Sequence, residues 1–135
     1  MSKENTLSFS ITAQNEVMLN DKPVAVEDIR RRIVDFVRMR GAQHLILVDA
    51  NPASDYNTYF TLENEIVAAY AEVRNAEAKR RYHRDYASCT DEQRKKVRDI
   101  YPQHLSETYN TAEVNNSTED NKTSKAVDEK KGGAE

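Results

Sequence analysis

Alternating apolar residues near the start, a helix-spaced apolar stripe and a block of branched aliphatics together predict an α+β domain. The expected architecture is a small mixed sheet with two main helices packed on one face, an extra short C-terminal helix, and then a disordered tail. The first strand is read from Leu7, Phe9 and Ile11, which alternate with Ser8, Ser10 and Thr12. This period of two places one set of side chains on a core and the other in water. After a polar break at Gln14 and Asn15, Val17 and Leu19 alternate with Met18 and Asn20, so the pair reads as an antiparallel hairpin. Asn20, Asp21, Lys22 and Pro23 form the next turn, because Asn and Asp tolerate positive φ and Pro cannot continue a ladder.

Val26, Ile29, Ile33, Phe36 and Val37 fall on one helical face. Acidic Glu27 and Asp28 stand at the positive end of this helix and Arg38 and Arg40 at its negative end. Gly41 is placed to end it in the left-handed conformation. The run Leu45, Ile46, Leu47, Val48 has the length and branching of a central strand buried on both faces. A loop through Pro52, Ser54 and Asp55 leads to a second helix over about Thr58 to Tyr82, with Tyr59, Leu62, Ile66, Tyr70 and Val73 as its stripe.

Beyond Val73 that stripe gives way to charge, so the later turns either project from the core or are covered by the segment that follows. Thr90 and Gln93 are spaced as a capping box opening a third helix, whose apolar side is Val97, Ile100 and Tyr101 and which Pro102 stops. Leu105 to Tyr109 supplies a further short edge strand. From Asn110 onward only Val114 and Val127 are aliphatics larger than alanine. Such a segment cannot offset about 1 to 2 kcal/mol of backbone entropy per residue. The chain therefore divides into a flexible N-terminal linker (1–6), one domain (7–109) and a disordered polar tail (110–135).

A length of 135 residues suits one core, and a net charge of −3 argues against a dedicated nucleic-acid binder. A single cysteine, Cys89, excludes an internal disulfide framework. A membrane-spanning helix needs about 20 mostly apolar residues. The longest aliphatic run here is Leu45 to Val48. Met1 to Asn5 contains no apolar leader, which leaves a cytosolic protein or a domain cut from a longer product.

Little in the sequence carries chemistry. His44, His83 and His104 lack partner ligands at metal-binding spacing, and no cofactor is expected. Cys89 precedes a helix start, where a thiol can be activated, but a lone loop cysteine is more often a bystander. The glycines are Gly41, Gly132 and Gly133, so there is no phosphate-cradling loop. Asp49 ends the buried strand, a common position for functional carboxylates, and also reads as a turn-capping residue. Lys79, Arg80, Arg81, Arg84, Arg94, Lys95, Lys96 and Arg98 form a basic helical surface with Tyr82 and Tyr86 interleaved. It offers a nucleic-acid-binding alternative over Arg80 to Arg98, although Glu77, Asp85, Asp91, Glu92 and Asp99 dilute its field.

Several segments resemble the periplasmic domain of ExbD/TolR-family biopolymer-transport proteins. They are the turn Asn20-Asp21-Lys22-Pro23-Val24, the helix with Glu27 and Ile29, the strand ending in Asp49 and the helix introduced by Tyr56. Asn64-Glu65-Ile66-Val67-Ala68-Ala69-Tyr70, the acidic entry Asp91-Glu92-Gln93 and Ile100-Tyr101-Pro102-Gln103 are similar to a long-form variant with an extra helical segment. The family commonly has Asn-Gly in the turn, and Asp21 departs from it.

The resemblance implies a protein-interaction domain in the periplasm, anchored to the Gram-negative inner membrane by a transmembrane helix not found in these residues. It implies ExbB-like and TonB-like partners, a homodimer, and delivery of proton-motive energy to outer-membrane transport, with no catalysis and no nucleic acid. An unpaired strand edge accepts a partner strand through main-chain hydrogen bonds. Phe9, Ile11, Val17 and Leu19 on the hairpin and Leu105 on the last strand are therefore the expected partner-binding positions.

Overall fold

The computed structural model describes residues 3–109. The tail expected over residues 110–135 lies outside them. The elements are β1 (Thr6–Ile11), β2 (Val17–Leu19), β3 (Lys22–Pro23), α1 (Val26–Arg40), β4 (Leu45–Ala50), α2 (Tyr56–Tyr82), α3 (Asp91–Ile100) and β5 (Leu105–Tyr109). The five strands form one mixed sheet in the order β3-β2-β1-β4-β5. β1 pairs antiparallel with β2, and β4 runs parallel to both β1 and β5.

Leu7, Phe9, Ile11, Val17, Leu19, Ile46, Val48 and Ala50 point to one face and are buried there with residues of both long helices. Phe9, at 1 % exposure, is the largest of the strand side chains in this core. Burial of each such side chain contributes about 1.5–3 kcal/mol. From α1 come Ile29, Ile33, Val34 and Val37, and from α2 Leu62, Ile66, Ala69, Tyr70 and Val73. The expectation that β4 is buried on both faces is corrected: Leu45 and Leu47 are only half-buried and Asp49 is exposed. Among the described residues helices cover a single face, so the positions of opposite parity stay in partial contact with solvent.

Local chemistry sets the ends of the elements. Asn20 and Asp21 both have positive φ, 49° and 70°. That is the backbone of a tight primed hairpin turn, which returns the chain so that Lys22 and Pro23 pair with β2 instead of leaving it. Gly41 ends α1 with its amide on the Val37 carbonyl, but at φ 58° and ψ −136° rather than in the left-handed region. An added Cβ would meet nothing there within 4 Å, so the backbone angle and not crowding calls for glycine.

α2 begins two residues earlier than its apolar stripe suggests, because the Asp55 carboxylate caps it by accepting from the Thr58 amide at 2.9 Å. At its other end the turns beyond Val73 are covered by the following segment. Ala78 packs with Cys89 and Val97 in a second small core flanked by Tyr82 and Tyr86. α3 opens on the anticipated capping box, with Thr90 and Gln93 each accepting from the other's amide. Residues 3–6, expected as linker, are already ordered: Lys3–Asn5 form a 3-10 turn, Thr6 opens β1, and Arg40 Nε donates to the Glu4 carbonyl at 2.9 Å.

Candidate partner-binding edge

Each end of a sheet is a row of main-chain groups, and the two ends differ here. β3 is two residues long and carries Pro23, which has no amide to donate, and exposed Lys22. These are devices that blunt an edge. β5 is longer, and Ser106, Glu107 and Thr108 are exposed on it. The Ile46 amide donates to the His104 carbonyl at 2.9 Å, and Ile46 is in register with Leu105. The main-chain groups of His104 and Ser106 therefore face β4, and those of Leu105 face away from the sheet.

A buried polar network fixes the start of this strand. His44 ends the loop after α1 and is 0 % exposed. Its Nδ1 lies 2.6 Å from the Gly41 carbonyl, which can only accept, so Nδ1 carries the hydrogen. Nε2 of the neutral ring then accepts from the Tyr70 hydroxyl. The Tyr70 oxygen in turn accepts from the His104 amide at 3.2 Å, and His104 Nδ1 donates to the His44 carbonyl at 3.1 Å. Helix α2, strand β4 and the start of β5 are thereby tied at one point.

Burial pulls the His44 pKa below its ordinary value, and the nearby charges of His104 and Arg74 act in the same direction. The Gly41 hydrogen bond opposes them in part. Burial likewise raises the Tyr70 pKa well above that of a free phenol. The pair stays neutral and hydrogen-bonded near pH 7, which makes it an anchor.

The sequence-derived positions separate sharply. Phe9, Ile11, Val17 and Leu19 are core side chains. β1 lies inside the sheet with β2 and β4 on its two sides, and β2 is covered by β3. The expectation that the hairpin offers an open edge is therefore corrected. Leu105 alone of the five sits on an edge strand, half-buried against the main core. The network was not anticipated: Tyr70 reads in the sequence as one more apolar stripe position. The one available signal is that a buried tyrosine needs a partner for its hydroxyl.

Other candidates are dispersed. The Cys89 thiol donates to the Asp85 carbonyl at 3.4 Å and packs inside the second core. His83 caps α2 in the left-handed conformation. Asp49 is exposed on the uncovered face beside Ser10 and Thr108. Among the described residues no three His, Cys, Asp or Glu side chains converge as a metal site, and no helix is long and apolar enough to cross a membrane.

On the basic surface, Arg80 and Arg81 both hold Glu77 at 2.6 Å. Lys79 pairs with Asp85 at 3.2 Å, Lys95 with Asp99 at 2.9 Å, and Arg94 with Asp91. The Arg80 hydrogen bond, the larger influence, keeps the Glu77 carboxyl below its usual pKa. Internal pairing of this kind reduces the field offered to phosphates. No protein-family model matches the chain, and no curated protein matches it closely enough to be counted a relative.

Proposed function

We propose that this domain is a protein-interaction head of the ExbD/TolR type, binding partner chains by strand addition along β5. The supporting observation is the asymmetry of the sheet. One edge is blunted by Lys22 and Pro23, while the other presents an exposed strand whose start is locked by His44 and Tyr70. A pre-positioned edge gives a partner strand main-chain hydrogen bonds without the entropy cost of ordering the acceptor.

Two features support the family reading. The elements run in the order the resemblance implies, and Asp21 takes a positive φ of 70° where the family has glycine. In this reading the domain stands in the periplasm of a Gram-negative cell, and a transmembrane helix ahead of it holds it at the inner membrane. ExbB-like and TonB-like proteins and a second copy are its partners, and its role is to relay proton-motive energy toward outer-membrane transport.

Titration of the isotope-labelled domain with a synthetic TonB-like periplasmic peptide tests this. Amide shifts are expected along Leu105 to Thr108. Shifts confined to Arg80 to Arg98, or none at saturating peptide, would refute it.

A further inference from the structure

Arg74 differs from the other α2 arginines. Arg80 and Arg81 reach a carboxylate, whereas among the described residues no Asp or Glu lies within ion-pair distance of Arg74. Its guanidinium is held in place from two directions. The carbon lies 5.7 Å over the centre of the Tyr70 ring, and Nε donates to the Tyr101 carbonyl at 3.1 Å. This leaves the two terminal amino groups of a fixed, half-buried fork.

The fork lines an open groove of about 550 Å³ whose other walls include Val67, Ala71, Tyr86 and Ala87. Val67, on the outer side of α2, is 59 % exposed. Asn75 is already engaged, accepting from the Tyr86 amide at 2.8 Å. Arg98 donates to the Tyr86 hydroxyl at 3.0 Å, and its positive charge acts on Arg74. Burial is the largest influence and lowers the Arg74 pKa, Tyr86 and Tyr70 oppose it, and Arg98 lowers it a little further, so a carboxylate beside the guanidinium would favour its charged form. Glu72 also lines this groove, but it reaches the groove between α1 and α2 as well, where its charge acts on Arg30.

We infer that this groove binds an extended segment of a partner protein in which a carboxylate side chain stands next to an apolar one. The carboxylate pairs with the terminal amino groups of Arg74, and the apolar side chain covers Val67 and Ala87. A planar fork matches a carboxylate in bidentate geometry, and the apolar walls exclude the competing water. Gln103, two residues ahead of β5, belongs to the groove wall, so the groove and the strand edge adjoin. The inference does not depend on strand addition, because it is read from side chains of α2 and the turn before α3.

Acetyl-Leu-Glu-Leu-amide and its counterpart acetyl-Leu-Gln-Leu-amide, titrated into the labelled full chain, test it. The Glu peptide is expected to shift the amides of Val67, Ala71, Arg74 and Ala87 and to bind about tenfold or more tightly than the Gln peptide. Arg74→Gln should remove that preference. Ala87→Glu, at an exposed position that leaves the fold intact, should weaken the Glu peptide selectively. Equal binding of the two peptides, or no groove shifts at millimolar peptide, overturns the inference. Shifts restricted to Leu105 to Thr108 overturn it too, while leaving the β5 reading standing.

Discussion

Replacing Tyr70 with phenylalanine tests the anchor with little disturbance to packing. The ring stays, and with it the 5.5 Å approach to the His44 ring and the 5.7 Å contact with Arg74, so no cavity forms. Only the hydroxyl is lost. The His104 amide is on an exposed residue and can turn to water. His44 has 0 % exposure, so its Nε2 is left as a buried acceptor without a donor. Such a loss costs about 1–3 kcal/mol. In a domain of about 100 residues that lowers Tm by roughly 4–8 °C per kcal/mol. Urea unfolding of both proteins at pH 7.5 measures the difference, and hydrogen exchange locates it. The Ser106 amide, which is bonded to β4, should exchange faster in the variant. A stability within about 0.5 kcal/mol of the parent, the range of an ordinary surface change, would show that the hydroxyl does not anchor the strand.

Acid should weaken the fold in two steps. His44 is lowered from 6.5 when folded, so the unfolded chain binds the proton first, and stability falls as pH drops below about 6.5 toward the depressed value. Glu77, lowered from 4.5, adds a separate loss as pH falls below that value. Urea midpoints at pH 7.5, 5.5 and 4 resolve the steps, and His44→Gln should flatten the first only. Thr90→Ala removes the acceptor for the Gln93 amide and should cost about 1 kcal/mol, read as faster exchange in α3. Gly41→Ala should cost about 1–3 kcal/mol in urea unfolding even though the added methyl meets open space, because φ 58° with ψ −136° suits only glycine.

What the sequence reveals follows how local each signal is. The bounds of α1 are legible because Glu27, Asp28 and Gly41 act within a turn of its ends. The start of α2 is mistaken by two residues because the stripe is read from Tyr59 onward, while Asp55 does the capping. β3 escapes notice since two residues with a proline carry no alternation. Alternation shows that Phe9 and Ile11 face the core, but not that β4 lies beside β1, since sheet order depends on pairing between distant segments. The anchor is hidden for the same reason: Tyr70 meets His44 across 26 residues and His104 across 34. For β4, a run of four aliphatics predicts two-sided burial, whereas Leu45 and Leu47 border a face that no helix among the described residues covers.

Amide exchange at Leu105 and Ser106, with and without a TonB-like peptide, tests strand addition most directly. The Ser106 amide already bonds to β4 and the Leu105 amide points outward. Strand addition predicts marked slowing at Leu105 on binding and little change at Ser106. Slowing of both amides to the same degree, or of neither while the peptide is bound, would contradict it.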